Sequence, residues 1–167
     1  MLSELDSYRE RLEDLRGLVK RLIADLPAEA LNWRPIEGED DHATNSLAVL
    51  VTHIAGAEHF WVGEVVGGLP ATRDRDAEFL VTATDATELV ERLDQVGAET
   101  GEVFAGLAPV DLGGTREVRG RTVPVRWGIL HVIDHTAVHL GHMQLTYQLW
   151  MGGQSGPSPR WFERLKT

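Results

Sequence analysis

Apolar residues recur at three- and four-residue steps through most of the chain, so helices dominate its pattern. Leu2, Leu5, Leu12, Leu15, Val19, Leu22, Ile23 and Leu26 keep that step, with Tyr8 filling one gap and charges between them. They predict a first amphipathic helix, capped by Ser3 and stopped by Pro27. Ala28 to Thr44 reads as a connection, in which Trp33 plugs a helix end and Glu37 to Asp41 form an acidic loop. A second helix starts from a cap at Asn45 or Ser46 and runs to about Val66, with Leu47, Leu50, Val51, Ile54 and Phe60 as its apolar surface. Small Gly56 and Ala57 would let a neighbouring helix approach it. Ala71 to Thr84 is polar and irregular. Asp85, with Glu88 three positions on, reads as a capping box that opens a third helix to about Leu107, where Gly97 and Gly101 allow a bend. Gly113 to Val123 alternates around Arg119-Gly120-Arg121 and predicts a short hairpin. Pro124 suits the first turn of a fourth helix, which Gly152-Gly153 ends. Gly156 to Pro159 reads as a linker, with Trp161, Phe162 and Leu165 docking after it as one short turn.

The expected class is therefore all-α: four long helices in a bundle, with long connections that require at least one crossover. With 167 residues, 43% of them hydrophobic, the chain is expected to form one domain over 1–167. A formal charge of −10 argues against nucleic acid as a partner. The local basic runs, Arg73–Arg75 and Arg116–Arg121, are short and fall in predicted loops. The longest apolar stretch, Ser46 to Val66, is broken by His53, Glu58, His59 and Glu64, so it predicts a buried helix rather than a membrane span. No signal-peptide pattern opens the chain, which leads to an expectation of the cytoplasm. There is no cysteine, which excludes disulfides, thiolate-held metal and a protein thiol nucleophile.

The fourth helix carries four of the seven histidines: His131, His135, His139 and His142. At about 100° per residue they fall within an arc of roughly 80°. Imidazoles four residues apart can share one metal ion, but three spread over two turns cannot. One adjacent pair can therefore bind, either His131 with His135 or His135 with His139, and a third ligand must come from another helix. His53 is the buried candidate; His42 lies in the acidic loop and His59 points to another face. Three neutral nitrogens leave a position open on the ion, the arrangement of catalytic rather than structural sites. Zinc, nickel and iron(II) all suit such a donor set. The competing explanation is that these are hydrogen-bonded core histidines, since H-x-x-x-H is a short and common match.

Asn32-Trp33-Arg34-Pro35, the stretch Thr44-Asn45-Ser46-Leu47 through His53, and His131-Val132-Ile133-Asp134-His135 through His142 resemble, in order and spacing, the DinB/YfiT-like superfamily of metalloenzymes. The resemblance spans nearly the whole chain and is strongest to an actinobacterial branch. It implies a four-helix bundle of up-down-down-up order that often forms a homodimer. It also implies a metal triad of one histidine in the second helix and an H-x-x-x-H pair in the fourth, which falls on His53, His135 and His139. The family's His-x-Gly-Gln ending is replaced by His139-Leu140-Gly141-His142.

Better-understood relatives are transferases and isomerases that use mycothiol, bacillithiol or glutathione. The resemblance therefore implies a divalent ion that holds a low-molecular-weight thiol as thiolate for attack on a small electrophilic substrate. Three other readings stay open: a non-catalytic protein that binds metal or a small ligand, a metal-dependent hydrolase with Glu58 as base, and a bundle whose histidines are purely structural.

Overall fold

The computed structural model describes residues 3–36, 38 and 44–153. In chain order the elements are α1 (Glu4–Ile23), α2 (Ala28–Asn32), α3 (Leu47–Glu58) continuing as a π-helical segment (His59–Val66), α4 (Arg75–Glu78), α5 (Thr87–Ala105), a 3₁₀ turn (Pro109–Gly113), β1 (Thr115–Val118), β2 (Arg121–Pro124) and α6 (Val125–Trp150). The fold is mostly helical with one small two-stranded sheet. The expected tail turn around Trp161 and Phe162 lies outside the described residues, as does His42.

Local chemistry accounts for most boundaries. The Ser3 side chain accepts from the Asp6 amide, and Asp6 reaches back to the Ser3 amide, completing a capping box on α1. Ser46, not Asn45, caps α3 by accepting from the Val49 amide. The capping box expected at Asp85 does not form. Asp85 instead accepts from the Thr87 amide two residues on, and the helix starts at Thr87 with Ala86 as an N-cap that makes no side-chain bond. Pro124 ends β2 and caps α6 from outside rather than sitting in its first turn. Two short helices replace irregular chain: α2 follows Pro27, and Asp74 caps α4 by accepting from the Ala77 amide. The hairpin is antiparallel, with Thr115 opposite Pro124 and Val118 opposite Arg121. Arg119 and Gly120 form its two-residue turn, at φ 49° and 74°.

The long helices pack in a ring: α1 on α5 and α6, and α3 on the same two. One apolar cluster joins Leu15, Val19, Leu47, Val51, Leu93, Leu140 and Met143, and a second joins Leu12, Val62, Phe104, Ile129 and Val132. Helix α6 serves both through the stripe Ile129, Val132, Thr136, Leu140 and Met143. Its histidines are centred about 100° away from that stripe, on the flank of the core rather than within it.

Between the helices lies a buried ion pair. Arg16 of α1 bonds Glu58 at the end of α3, and the Thr100 hydroxyl of α5 donates to the same Glu58 oxygen at 2.6 Å. A Cβ at Gly97 would come within 2.9 Å of the Arg16 guanidinium, so that glycine leaves room for the arginine. Asn32 ties α2 to the segment before α5. Its amide nitrogen donates to the Ala83 carbonyl at 2.7 Å, and its amide oxygen accepts from the Ala83 N–H at 2.9 Å. Trp33 packs edge-on against Trp150 at the end of α6, as its reading as a plug requires.

Candidate metal centre

Three histidines from two helices meet. His53 comes from the middle of α3; His135 and His139 come from adjacent turns of α6. One nitrogen from each lies within 4.8 Å of the other two. His53 Nε2 and His135 Nε2 are 3.1 Å apart, and the His135 and His139 ring centres are 4.4 Å apart.

The far side of His53 is held by a carboxylate. Its Nδ1 lies 2.8 Å from Glu78 Oε2, and Arg73 clasps the same carboxylate through Nε to Oε1 at 2.6 Å and through Nη2 to Oε2 at 2.9 Å. Burial pushes the Glu78 carboxyl up, but hydrogen bonds from His53 and Arg73 outweigh it and hold the pKa below the ordinary value. An ionised Glu78 accepts the Nδ1 proton of His53, which leaves the Nε2 lone pair facing the other two rings. Gly56 makes this possible: a Cβ there would sit 2.0 Å from Glu78 Oε1. The helix that approaches α3 at Gly56 is the short α4, which brings the Glu78 side chain against it.

His135 and His139 are neutral near pH 7. Burial first, then the other histidines and Arg73, lowers His135 to about 3. Burial, with His53 and His142 adding to it, lowers His139 to about 4. Protein hydrogen bonds do not close the set, because His135 Nδ1 is buried without a partner. If His135 donates from Nε2 to His53, its Nδ1 lone pair is stranded; if its proton is on Nδ1, two lone pairs oppose each other at 3.1 Å. A cation between the rings removes the opposition of lone pairs in the second case, so the donor set fits a divalent ion.

The remaining histidines have other places. His142 Nδ1 lies 3.3 Å from His139 Nδ1 at the exposed edge, where it can steady that ring. His131 is outside the triad; it stacks on Trp127 with 4.9 Å between ring centres and meets Trp61 edge-on. The group around His53 thus holds the His135–His139 pair, while His131, 5.7 Å from His135 between ring centres, stays outside it. Trp127, 48% exposed near the start of α6, also packs edge-on against Trp61 and walls this region. His59 faces Glu99 at 2.8 Å and Thr72 at 2.8 Å.

Glu78, Arg73 and Phe79, whose ring lies 5.1 Å from His53, were not foreseen from the sequence. They lie in the stretch that reads as irregular, and a four-residue helix leaves no periodic trace. The usable signal was chemical: a metal-binding histidine normally donates its second nitrogen to a carboxylate. Asp134, beside His135 in sequence, is exposed and does not fill that role.

Residues 11–143 match the DinB superfamily. The chain belongs to the DinB superfamily. Solved structures agree at the level of fold. A DinB-like protein from Bacillus cereus aligns with a TM-score of 0.69 at 18% identity, over 93% of this chain and 95% of that one. A DinB-like protein from Bacillus subtilis gives 0.66 at 20% identity, over 91% and 96%. A conserved protein from Enterococcus faecalis gives 0.69 at 15% identity, over 91% and 99%. No curated protein matches this DinB-superfamily chain.

Proposed function

We propose that this DinB-superfamily protein is a divalent-metal-dependent enzyme whose ion is held by His53, His135 and His139. The carrying observation is the convergence of three imidazoles, one nitrogen of each within 4.8 Å of the other two, with His135 Nδ1 left without a partner. Zinc or nickel suits the set best, with iron(II) next. Such an ion supplies Lewis acidity, lowering the pKa of a bound thiol or water.

The chain's own residues provide the rest. Glu78 and Arg73 fix the orientation of His53, and His142 steadies His139. Trp61, Trp127 and His131 line the flank beside the triad with apolar ring surface for a small substrate. Without cysteine the chain has no sulfur nucleophile, so the co-substrate of a transferase or isomerase is an external low-molecular-weight thiol such as mycothiol. Hydrolysis is less well supported, because its expected base, Glu58, is 2% exposed and tied to Arg16 and Thr100. We read the ring of four long helices as the family's up-down-down-up bundle. The exposed apolar row Val138, Leu145 and Leu149 on α6 supports a homodimer.

The test has two stages. Elemental analysis should find about one divalent ion per chain, and His135→Ala and His139→Ala should lose it. The loaded protein is then assayed with mycothiol, bacillithiol and glutathione against model electrophiles. Turnover that needs both ion and thiol supports the enzyme; full loading with no turnover supports a non-catalytic metal binder instead.

A further inference from the structure

The helix that carries His53 changes its winding soon after that residue. From His59 to Val66 it is π-helical. In an α-helix, residues five apart are separated by about 140° around the axis, so His59 and Glu64 would point to different sides. The i→i+5 bonds of a π-helix widen the turn and bring residues five apart towards one face. Here His59 Nε2 lies 3.2 Å from Glu64 Oε1.

Both side chains meet the same stretch of chain. Glu64 Oε1 accepts the Thr72 and Arg73 amides at 2.7 and 2.8 Å, and the Thr72 hydroxyl lies 2.8 Å from His59 Nε2. The Glu64 side chain is 7% exposed, so these bonds are sheltered as well as charge-assisted. The other edge of the His59 ring is held from α5, where Nδ1 lies 2.8 and 3.0 Å from the two Glu99 oxygens. Gly63 leaves room for that carboxylate: a Cβ there would sit 2.3 Å from Glu99 Oε1. Gly56 leaves room for Glu78 beside His53 in the same way.

What this clamp holds is Arg73. Between the π-helical segment and α4 the chain forms no helix or strand, so Glu64 supplies the partners that a regular ladder would give the Thr72 and Arg73 amides. The Arg73 guanidinium then clasps both oxygens of Glu78, and Glu78 holds His53 Nδ1. A paired arginine–carboxylate contact has a strict geometry, so a shift of the Arg73 backbone carries through to Glu78 and the His53 ring.

We propose that Glu64 and His59, paired by the π-helical winding, are positioning residues of the metal centre: they fix the Thr72–Arg73 backbone so that Arg73 holds Glu78 against His53. Their service to an ion rests on the proposed function; their hold on the His53 ring does not.

Two readouts on the full chain test this. In the metal-free protein, proton NMR follows the His53 Nδ1–H, expected in the wild type as a downfield, slowly exchanging signal. Competition titration gives the zinc affinity. Glu64→Ala and His59→Ala should lose the signal and weaken zinc about tenfold. Glu64→Gln keeps an acceptor oxygen for the two amides and should retain both. Glu64→Asp keeps the charge without the reach and should behave like the alanine variant, so it carries the test if Glu64→Ala does not fold. Val19→Ala, in the core face of α1, controls for general destabilisation. It should lower the melting temperature and leave the signal and the zinc affinity alone. Wild-type signal and affinity in folded Glu64→Ala or Glu64→Asp, or the same losses in Val19→Ala, would overturn the proposal. If the wild type takes up no zinc, or His135→Ala binds it equally well, the metal assignment fails, and the His53 signal still decides whether Glu64 and His59 position that ring.

Discussion

At the scale of single residues, the site depends on what holds each imidazole. Gly56→Ala would force a methyl group against Glu78 Oε1 and push the carboxylate off His53. Loss of such an orienting partner typically weakens metal affinity by about 10–100-fold, so zinc affinity by competition titration should fall by that order in both Gly56→Ala and Glu78→Gln. The depressed histidine pKa values set a pH dependence. His135 and His139 titrate at about 3 and about 4 when folded but near 6.5 when unfolded. Between those values the unfolded chain binds more protons. The histidine contribution to the stability of the metal-free protein should therefore be complete above about pH 6.5, fall from there to about pH 4, and level off below about pH 3. Urea melts across that range check this, and a His135→Gln/His139→Gln double variant should flatten the curve. The histidine stripe and His53 were legible because a period of 3.6 and a donor-type argument suffice to find them. Glu78 was not, since nothing in its neighbourhood repeats and its partner His53 is 25 residues away.

At the scale of elements, the sequence showed helices with a periodic apolar face and hid those without one. Four long helices and the hairpin follow their patterns, while α2 and α4 are too short to show one. The π-helical segment was also invisible, because eight residues are too few for its wider i→i+5 turn to show a period of its own. Glu58 illustrates the same limit: its place on α3 was clear, but its partner Arg16 lies 42 residues away. Removing one member of a buried ion pair costs about 3–5 kcal/mol, whereas replacing both by apolar groups is often neutral. Arg16→Met alone should thus destabilise by about that amount, and Arg16→Met/Glu58→Leu should recover most of it in chemical denaturation. A wild-type-like Arg16→Met would show that the pair contributes little.

At the scale of the whole molecule, the candidate site is an inter-helix contact, so an ion bound there would be thermodynamically linked to the fold. His53 arrives on α3 while His135 and His139 arrive on α6, and an ion joining them stabilises the packing of those helices. A ligand at one hundred times its Kd adds about 2.7 kcal/mol, which for a chain of this size raises Tm by roughly 5–10 °C. Thermal melts with zinc and then excess chelator should show the rise and its reversal, and His53→Ala should show neither. The ring of helices and the family were foreshadowed by motif order across the chain; the hold of Glu64 on the Thr72 and Arg73 amides was not, because it forms only once the chain after the π-helical segment folds back. The central claim is that His53, His135 and His139 hold one divalent ion. Anomalous diffraction at the zinc edge, from crystals of zinc-loaded protein, tests it most directly. The account predicts one strong peak between the three rings, at about 2.0–2.1 Å from a nitrogen of each. A zinc peak elsewhere, or none there in a protein that binds zinc stoichiometrically, would contradict it.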